Sequence, residues 1–458
     1  MVYQLDFDKI IKFIEKSGKY TFRRRAVTSI LPLPTREPER AKFERGFSSI
    51  AGGVIRKVYG KNVVIDTGDA SLEVILANGK FSDEADKTFF ENYLKEQIKE
   101  LHLGKITNLH QLERIPLTEN ADEQKGEIDL IHFLFDTFIR NDEERVREIL
   151  QNQDDSNLLS EIMDLTISTP GLKNNSIASY DSLFPQLKEQ FLKDFENLAR
   201  NPSFLVDYIS LLFVHYTFTA MSQLILQTNK GTRFSQYELL PVYYILQWEK
   251  AAKWRDSYKQ GNKMLMDEID GFFAHEHALN ILGMNTFSNE SNQFYHDIYR
   301  QLEEAGPEAE RDFTQSIYKW LKEVYQEKTN IDVVEYSEEK TLEMAFDDLI
   351  HAVRKGISNE INSRYLKAFK AIVLKFFRKH GGSLGTILAL SQEHLLMLVA
   401  VSITEERVEL KQLWKELENR GVWLDHHSKE EVVKMLDKLN YMEKKSDSGD
   451  AQYVKSIL

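Results

Sequence analysis

Apolar residues recur three and four positions apart along most of the chain, the spacing that gathers them on one face of an α-helix. The stretches 83–101 (DEADKTFFENYLKEQIKEL), 207–227 (DYISLLFVHYTFTAMSQLILQ), 242–261 (VYYILQWEKAAKWRDSYKQG) and 340–356 (KTLEMAFDDLIHAVRKG) carry that period and are predicted helices. Internal strand-like composition is confined to 62–81 (NVVIDTGDASLEVILANGKF), where Gly68 and Gly79 punctuate an expected small hairpin. Predicted loops fall at 117–127, 169–176, 227–235, 283–292 and 379–386. The glycines of KHGGSLGT (379–386) mark the sharpest expected boundary. They divide the chain into an N-terminal region (1–116), a helical body (117–380) and a C-terminal domain (386–458).

The C-terminal domain reads as three helices and a hairpin. SQEHLLMLVAVSI has Ser391 as its cap, with Leu395, Leu396, Leu398 and Val399 inward. RVELKQLWKELENRG buries Leu410, Leu413, Trp414 and Leu417 and stops at Gly421. SKEEVVKMLDKLN opens on a capping box of Ser428 and Glu431 and turns Val432, Val433, Leu436 and Leu439 inward. The closing MEKKSDSGDAQYV (442–454) has the turn chemistry of a hairpin, with Gly449 supplying backbone freedom. The fold class expected is thus mainly α: a multi-helix body, a small N-terminal α(+β) region and a C-terminal winged-helix-like domain. The hairpin is not basic overall, since Lys444, Lys445 and Lys455 face Glu443, Asp447 and Asp450. A protein-docking or structural role for this domain competes with a DNA contact. Lys444, Lys445 and Tyr453 are its candidate partner-binding residues.

Charge changes the picture locally. The 458-residue chain carries a formal net charge of −13, with 42 % hydrophobic and 29 % charged residues, the composition of a globular protein. Residues 119–164 hold fourteen acids against four bases, whereas 19–57 hold ten bases against three acids and 354–379 eight against one. The whole-chain charge therefore says little about partners. In SNEINSRYLKAFKAIVLKFFRKHGG, helical placement sets Arg364, Lys367, Lys375, Arg378 and Lys379 opposite Tyr365, Phe369, Ile372, Val373 and Phe376. A basic stripe backed by an aromatic face is suited to a phosphate backbone, and also to plain solvation or a protein partner. KYTFRRRAV (19–27) adds Arg23, Arg24 and Arg25 as a second candidate DNA-binding set, with the acidic block as an alternative target.

Candidate chemistry is sparse. There is no G-x-x-x-x-G-K-[ST], no H-E-x-x-H and no G-x-S-x-G. The chain has no cysteine, which excludes thiolate metal sites and disulfides and fits a reducing cytoplasm. His275 and His277 in FFAHEHALNIL point to different faces of a helix and suit core positions better than one metal. Asp425, His426 and His427 lack the further acids of a phosphoesterase. The expectation is a protein without enzymatic activity, cofactor or metal. No apolar run is long enough for an uninterrupted membrane span, and the N-terminus lacks a signal-peptide core, so a cytoplasmic, non-membrane protein is expected.

In LLPVYYILQWEKAAKWRDSYKQG (239–261) the aromatics Tyr243, Tyr244, Trp248, Trp254 and Tyr258 form either core or a groove beside Lys253 and Arg255, with Trp248 and Trp254 as candidate partner-binding residues. The phrases QWEKAAKWRDSYKQG, FFAHEHALNIL, FVHYTFTAMSQLILQ and KKSDSGDAQYVKSIL resemble the DptG (DndG) family of DNA phosphorothioation-dependent restriction proteins. The resemblance covers residues 200–282 and 385–458 most clearly. It implies a subunit of an anti-phage restriction complex that attacks DNA lacking a sulfur mark. The implied partners are DptF-like and DptH-like subunits, which supply ATPase and translocase activity, and DNA. Alternatives are a protein scaffold without DNA contact, or a nuclease subunit with an unrecognised site. The resemblance brings no catalytic residues.

Overall fold

The computed structural model describes residues 2–25, 27–35, 37–60, 72–73, 76–77, 79–102, 109–151, 178–246, 256–288, 293–444 and 452–458, and the fold is mainly helical. Its axis is a 28-residue helix, Pro202–Asn229, which begins with proline at its first turn and Asn201 as the side-chain cap. By length and composition this helix could cross a membrane, and 89 % of the qualifying stretch is buried inside the protein. It is apolar around its whole circumference because helices surround it. Ser48–Val58, Ala121–Leu134, Pro185–Leu198, Asn262–Ile269 and Gln392–Ser402 all pack on it.

Helices are labelled in chain order: α1 Phe7–Ile14, α2 Ser48–Val58, α3 Glu84–His102, α4 Ala121–Leu134, α5 Glu143–Gln151, α6 Pro185–Leu198, α7 Pro202–Asn229, α8 Asn262–Ile269, α9 Phe273–Gly283, α10 Tyr295–Ala305, α11 Pro307–Trp320, α12 Leu342–Gly356, α13 Arg364–Ile372, α14 Gln392–Ser402, α15 Leu410–Asn419 and α16 His426–Lys438. The polar side chains of α7 are satisfied by neighbouring backbone. Gln223 donates to the Leu240 carbonyl at 2.9 Å and accepts from the Leu240 amide at 2.7 Å. One turn on, Gln227 does the same with Glu238 and Ser235. These glutamines tie the irregular segment 235–240 to the central helix without leaving its backbone groups unpaired.

The strands are short: β1 Glu15–Lys16, β2 Lys19–Tyr20, β3 Tyr243–Tyr244, β4 Arg378–His380, β5 Thr386–Leu388, β6 Arg407–Glu409, β7 Trp423–Leu424, β8 Met442–Lys444 and β9 Gln452–Lys455. β1 and β2 form a hairpin, β4 and β5 another, β3 pairs in parallel with β7, and a sheet runs in the order β6-β9-β8.

The predicted helices at 83–101, 207–227 and 340–356 correspond to α3, α7 and α12. The helix expected over 242–261 is corrected where that stretch is described. Tyr243 and Tyr244 are strand, held opposite Trp423 and Leu424, and Ser257–Gln260 is a 3-10 turn. β pairing with a segment 180 residues away in sequence overrides the local period, as it readily does for aromatic residues. Of the expected hairpin at 62–81, residues 72–73 and 76–77 are helical, and 62–71, 74–75 and 78 lie outside the described residues. The loop expected over 117–127 ends early, because Asn120 accepts from the amides of Asp122 and Glu123 and starts α4. The glycines at 381–385 are the turn of the β4–β5 hairpin, with Gly381 N–H donating to the Gly385 carbonyl.

One hydrophobic core runs from Leu5 to Val454 and crosses both expected boundaries. A satellite cluster, Leu72 and Leu94 with Leu76 and Phe90, lies under α3. Close packing is most severe where Gly126 of α4 lies against the Arg40 backbone carbonyl, leaving no room for a Cβ.

Candidate nucleic-acid interface

Helix α13 begins after Ser363, runs to Ile372 and continues as a π-helical turn, Val373–Phe377, into β4. The extra residue in a π turn shifts the register of the chain beyond it, a device common at functional sites. Tyr365, Phe369, Ile372, Val373 and Phe377 are buried, each at 1 % exposure or less. Phe218 of α7 stacks on Phe369 and Phe377 at centroid distances of 5.3 and 4.2 Å. Such aromatic pairs contribute about 0.5–1.5 kcal/mol beyond area burial and hold the opposite face still.

That opposite face presents Lys367, Lys375 and Arg378, all exposed. Lys370, absent from the expected set, is exposed between them. None of the four forms an ion pair among the described residues. The remaining two of the expected set are partly engaged. The Arg364 guanidinium lies 5.8 Å from the Phe273 ring centre, and Lys379 donates to the Leu246 carbonyl at 3.0 Å. The helical spacing alone could have shown Lys370, which lies three residues after Lys367.

The N-terminal arginines require a correction. Arg24 donates to Glu276 at 3.3 Å, to the Tyr365 hydroxyl at 3.0 Å and to the Leu31 carbonyl at 3.1 Å. Arg25 is 7 % exposed, paired with Asp181 at 3.5 Å and stacked over Phe294 at 4.4 Å. Arg23 is half-buried over the Phe13 ring at 5.2 Å, and its amide donates to His277 Nδ1 at 3.0 Å. These guanidiniums hold the N-terminal segment onto α9 and its surroundings; Arg24 and Arg25 are not an open arm. The buried Glu276 and the partly buried Asp181 recruited Arg24 and Arg25, a long-range arrangement invisible in the local sequence.

The rest of that basic zone does reach α13. Phe43 and Phe47 meet Phe376 edge-on at 5.6 and 5.8 Å, so the turn carrying Arg40, Lys42 and Arg45 lies against the far end of the cationic strip, beside Lys375 and Arg378. Lys42 is paired there with Glu39 and, at 3.9 Å, Glu44, which reduces its contribution.

In the C-terminal unit the surface charges alternate. Arg407 pairs with Glu443 at 2.7 Å and lies 5.0 Å over the Tyr453 ring; Lys434 pairs with Glu431 at 2.7 Å. α16 begins at His426, two residues before the expected cap, because Asp425 accepts from the Ser428 amide at 2.9 Å. Ser428 is buried and its hydroxyl accepts from the Leu246 amide at 3.1 Å, while Ser257 donates to Asp425 at 2.8 Å. One side of the N-terminal end of α16 is therefore held by the body, while His426, its first residue, is exposed. Trp248, Trp254, Lys445 and the Lys444 side chain lie outside the described residues; Tyr453 is half-buried in β9.

Both histidines of FFAHEHALNIL are core residues. His275 contacts the Tyr295 hydroxyl and Asn229, each at 3.1 Å, and His277 contacts the Tyr20 hydroxyl at 2.8 Å. Burial lowers both to about 4, so both are neutral near pH 7. Among the described residues no group of three or more His, Asp or Glu is placed to hold a metal ion.

Neither a protein-family model nor a curated protein matches the chain.

Proposed function

We propose that this chain is a non-catalytic subunit of a phosphorothioation-dependent DNA restriction complex, docking DptF-like and DptH-like partners and contacting DNA through α13 and β4. The observation that carries the DNA contact is the strip Lys367, Lys370, Lys375 and Arg378, without ion pairs among the described residues, on a face whose reverse side is locked into the core. Phosphate neutralisation needs such cations and little else. The family assignment rests on the wording of residues 200–282 and 385–458.

The C-terminal unit supports a winged-helix reading: the order α14, β6, α15, α16, β8, β9 with sheet order β6-β9-β8 matches that module's connectivity. Its task is assigned to protein docking. At the start of α16, where a recognition helix meets base edges, Ser428 and Asp425 are engaged by the body, and Lys429 and Lys434 of this helix face Glu418 and Glu431.

The test is salt-dependent DNA binding by the purified protein and by a variant with Lys367, Lys370, Lys375 and Arg378 changed to Glu. Wild-type affinity should fall steeply with salt, and the variant should lose both affinity and most of that slope. Unchanged binding by the variant would overturn the strip assignment and favour a scaffold without this DNA contact. Metal-dependent cleavage by the protein alone would overturn the non-catalytic assignment. Copurification with the two partners tests the complex.

A further inference from the structure

Helix α11 continues through a π-helical turn, Leu321–Tyr325, and a final turn, Gln326–Thr329, and ends at Asn330 in the left-handed conformation. The chain then doubles back along the same helix. Glu335 accepts from the Lys322 ammonium at 2.8 Å. The Tyr336 hydroxyl accepts from the Gln315 amide at 3.3 Å, and its ring centre lies 5.7 Å from that of Tyr318. Tyr318 stands twelve residues before Asn330, and that length of helix rises roughly 18 Å. Residues 331–336 cover the return in six steps of about 3 Å each, close to the limit of an extended chain.

This strand-like segment has no backbone neighbour. None of the N–H or C=O groups of 331–336 is hydrogen-bonded among the described residues. Ile331 and Val333 rest on the core, while Asp332 and Val334 face outward, Val334 at 45 % exposure. A groove of about 1190 Å³ opens beside its end, lined by Glu335 and Tyr336, by α11 and by residues 2–8. Asp8, Asp312 and Glu323 in that lining are exposed and form no ion pair among the described residues; Lys319 is the base that faces them. Residues 331–339 add four acids and no base, and of these acids Glu335 is the one paired among the described residues.

We propose that residues 331–336 are a strand-addition site for an extended, basic segment of a partner protein. Each edge of an extended chain carries an N–H and a C=O on every second residue. Another extended polypeptide is the ligand that supplies the matching ladder of acceptors and donors. Open edges of this kind are ordinarily covered or blunted, and adding a strand to one is a recurring mode of peptide recognition. The anchors Asn330, Glu335 and Tyr336 hold the segment in the pairing conformation before any partner arrives, which lowers the ordering cost of binding. The acids select the occupant. A second copy of the segment would set like charges beside one another, whereas Lys or Arg residues of an added strand meet Asp332 and the acids of the groove. An apolar side chain in that strand covers Val334. The site is separate from the cationic strip and does not depend on the DNA contact.

The test is an anisotropy titration of the full-length protein with a labelled octapeptide of alternating lysine and valine, beside a control of alternating glutamate and valine. The lysine peptide should bind and the glutamate peptide should not. N-methylation of two adjacent central residues of the lysine peptide blocks both of its edges and should weaken binding by about tenfold or more. In the protein, Val334→Pro and Glu335→Pro remove N–H groups that point to opposite edges, at exposed positions where the chain is extended. The variant on the bound edge should lose about tenfold in affinity and the other should bind as wild type, with both folded by circular dichroism. Unchanged binding of the methylated peptide, or unchanged binding by both proline variants, reduces the attraction to charge alone and overturns the site. No binding of the lysine peptide overturns it as well. Self-association that one proline variant abolishes would place a second copy on the edge and overturn the basic partner. All of these outcomes leave the strip assignment as it stands.

Discussion

Arg420 and Asp194 form a bidentate ion pair in the core, Nε to Oδ2 at 2.7 Å and Nη2 to Oδ1 at 2.6 Å, with side chains 2 % and 0 % exposed. The pair joins the end of α15 to α6, and the Tyr216 hydroxyl donates to the same carboxylate at 2.6 Å. It ties the C-terminal unit to the body, alongside the bonds of Asn197 to the Val401 carbonyl and His215 to the Arg420 carbonyl. Removing one partner of such a pair strands a charge and costs about 3–5 kcal/mol, whereas replacing both with apolar groups often costs less. Arg420→Met alone should therefore sharply lower the urea midpoint, and the Arg420→Met/Asp194→Leu double variant should lose less than the sum of the two single changes. Strictly additive losses would show that the two residues act independently.

Stability should fall on mild acidification. His215, His275 and His277 are buried and each is lowered to about 4 by desolvation. His215 Nε2 donates to the Arg420 carbonyl at 2.9 Å, so its Nδ1 must accept from His394 Nε2 at 3.0 Å. That chain has no place for an added proton on His215. With folded values below the unfolded one near 6.5, the contribution is complete above pH 6.5 and is lost as pH falls toward 4. Each group then accounts for roughly 2 kcal/mol by pH 5. Urea unfolding at pH 7.5 and pH 5 measures the loss, and His277→Gln should make the slope shallower. A flat profile would rule out this titration.

Arg25 and Lys375 should separate stability from binding. Arg25→Ala removes a buried guanidinium from Asp181 and Phe294, and is expected to lower the melting midpoint while leaving the salt slope of DNA binding intact. Lys375→Ala is expected to leave stability within about 0.5 kcal/mol and to lower the salt slope by about one. Reversal of the two phenotypes would restore the N-terminal arginines as the DNA contact.

Gly126→Ala should destabilise by about 1–3 kcal/mol, because the added methyl meets the Arg40 carbonyl and the two backbones must separate. Thermal unfolding reads this directly. An unchanged midpoint would mean that the turn carrying Arg40 moves away at little cost.

Helices whose period is strong and whose caps are local were legible in advance: α3, α7, α12 and α14, the last with Ser391 accepting from His394 at 3.1 Å as its letters suggest. The backing of α13 was readable as far as Tyr365, Phe369, Ile372 and Val373, but the π turn that follows buries Phe377 in place of the expected Phe376. Elements that depend on distant chain were not readable. Tyr243 and Tyr244 took strand geometry from Trp423 and Leu424, and Ser428 lost its expected capping role to Asp425 once Leu246 claimed its hydroxyl.

Local periodicity and composition were thus sufficient for a mainly helical chain, a segregated basic helix and a C-terminal arrangement of helices and hairpin. They could not say which cations would meet solvent. Arg24 and Arg25 form a stronger local cluster than Lys370, yet the buried Glu276 and the partly buried Asp181 drew the arginines inward. Lys370 remained outside beside a cleft that α8 completes. A charge is neutralised or left to solvent according to what the fold places next to it, and the partners here are 156 and 252 residues away.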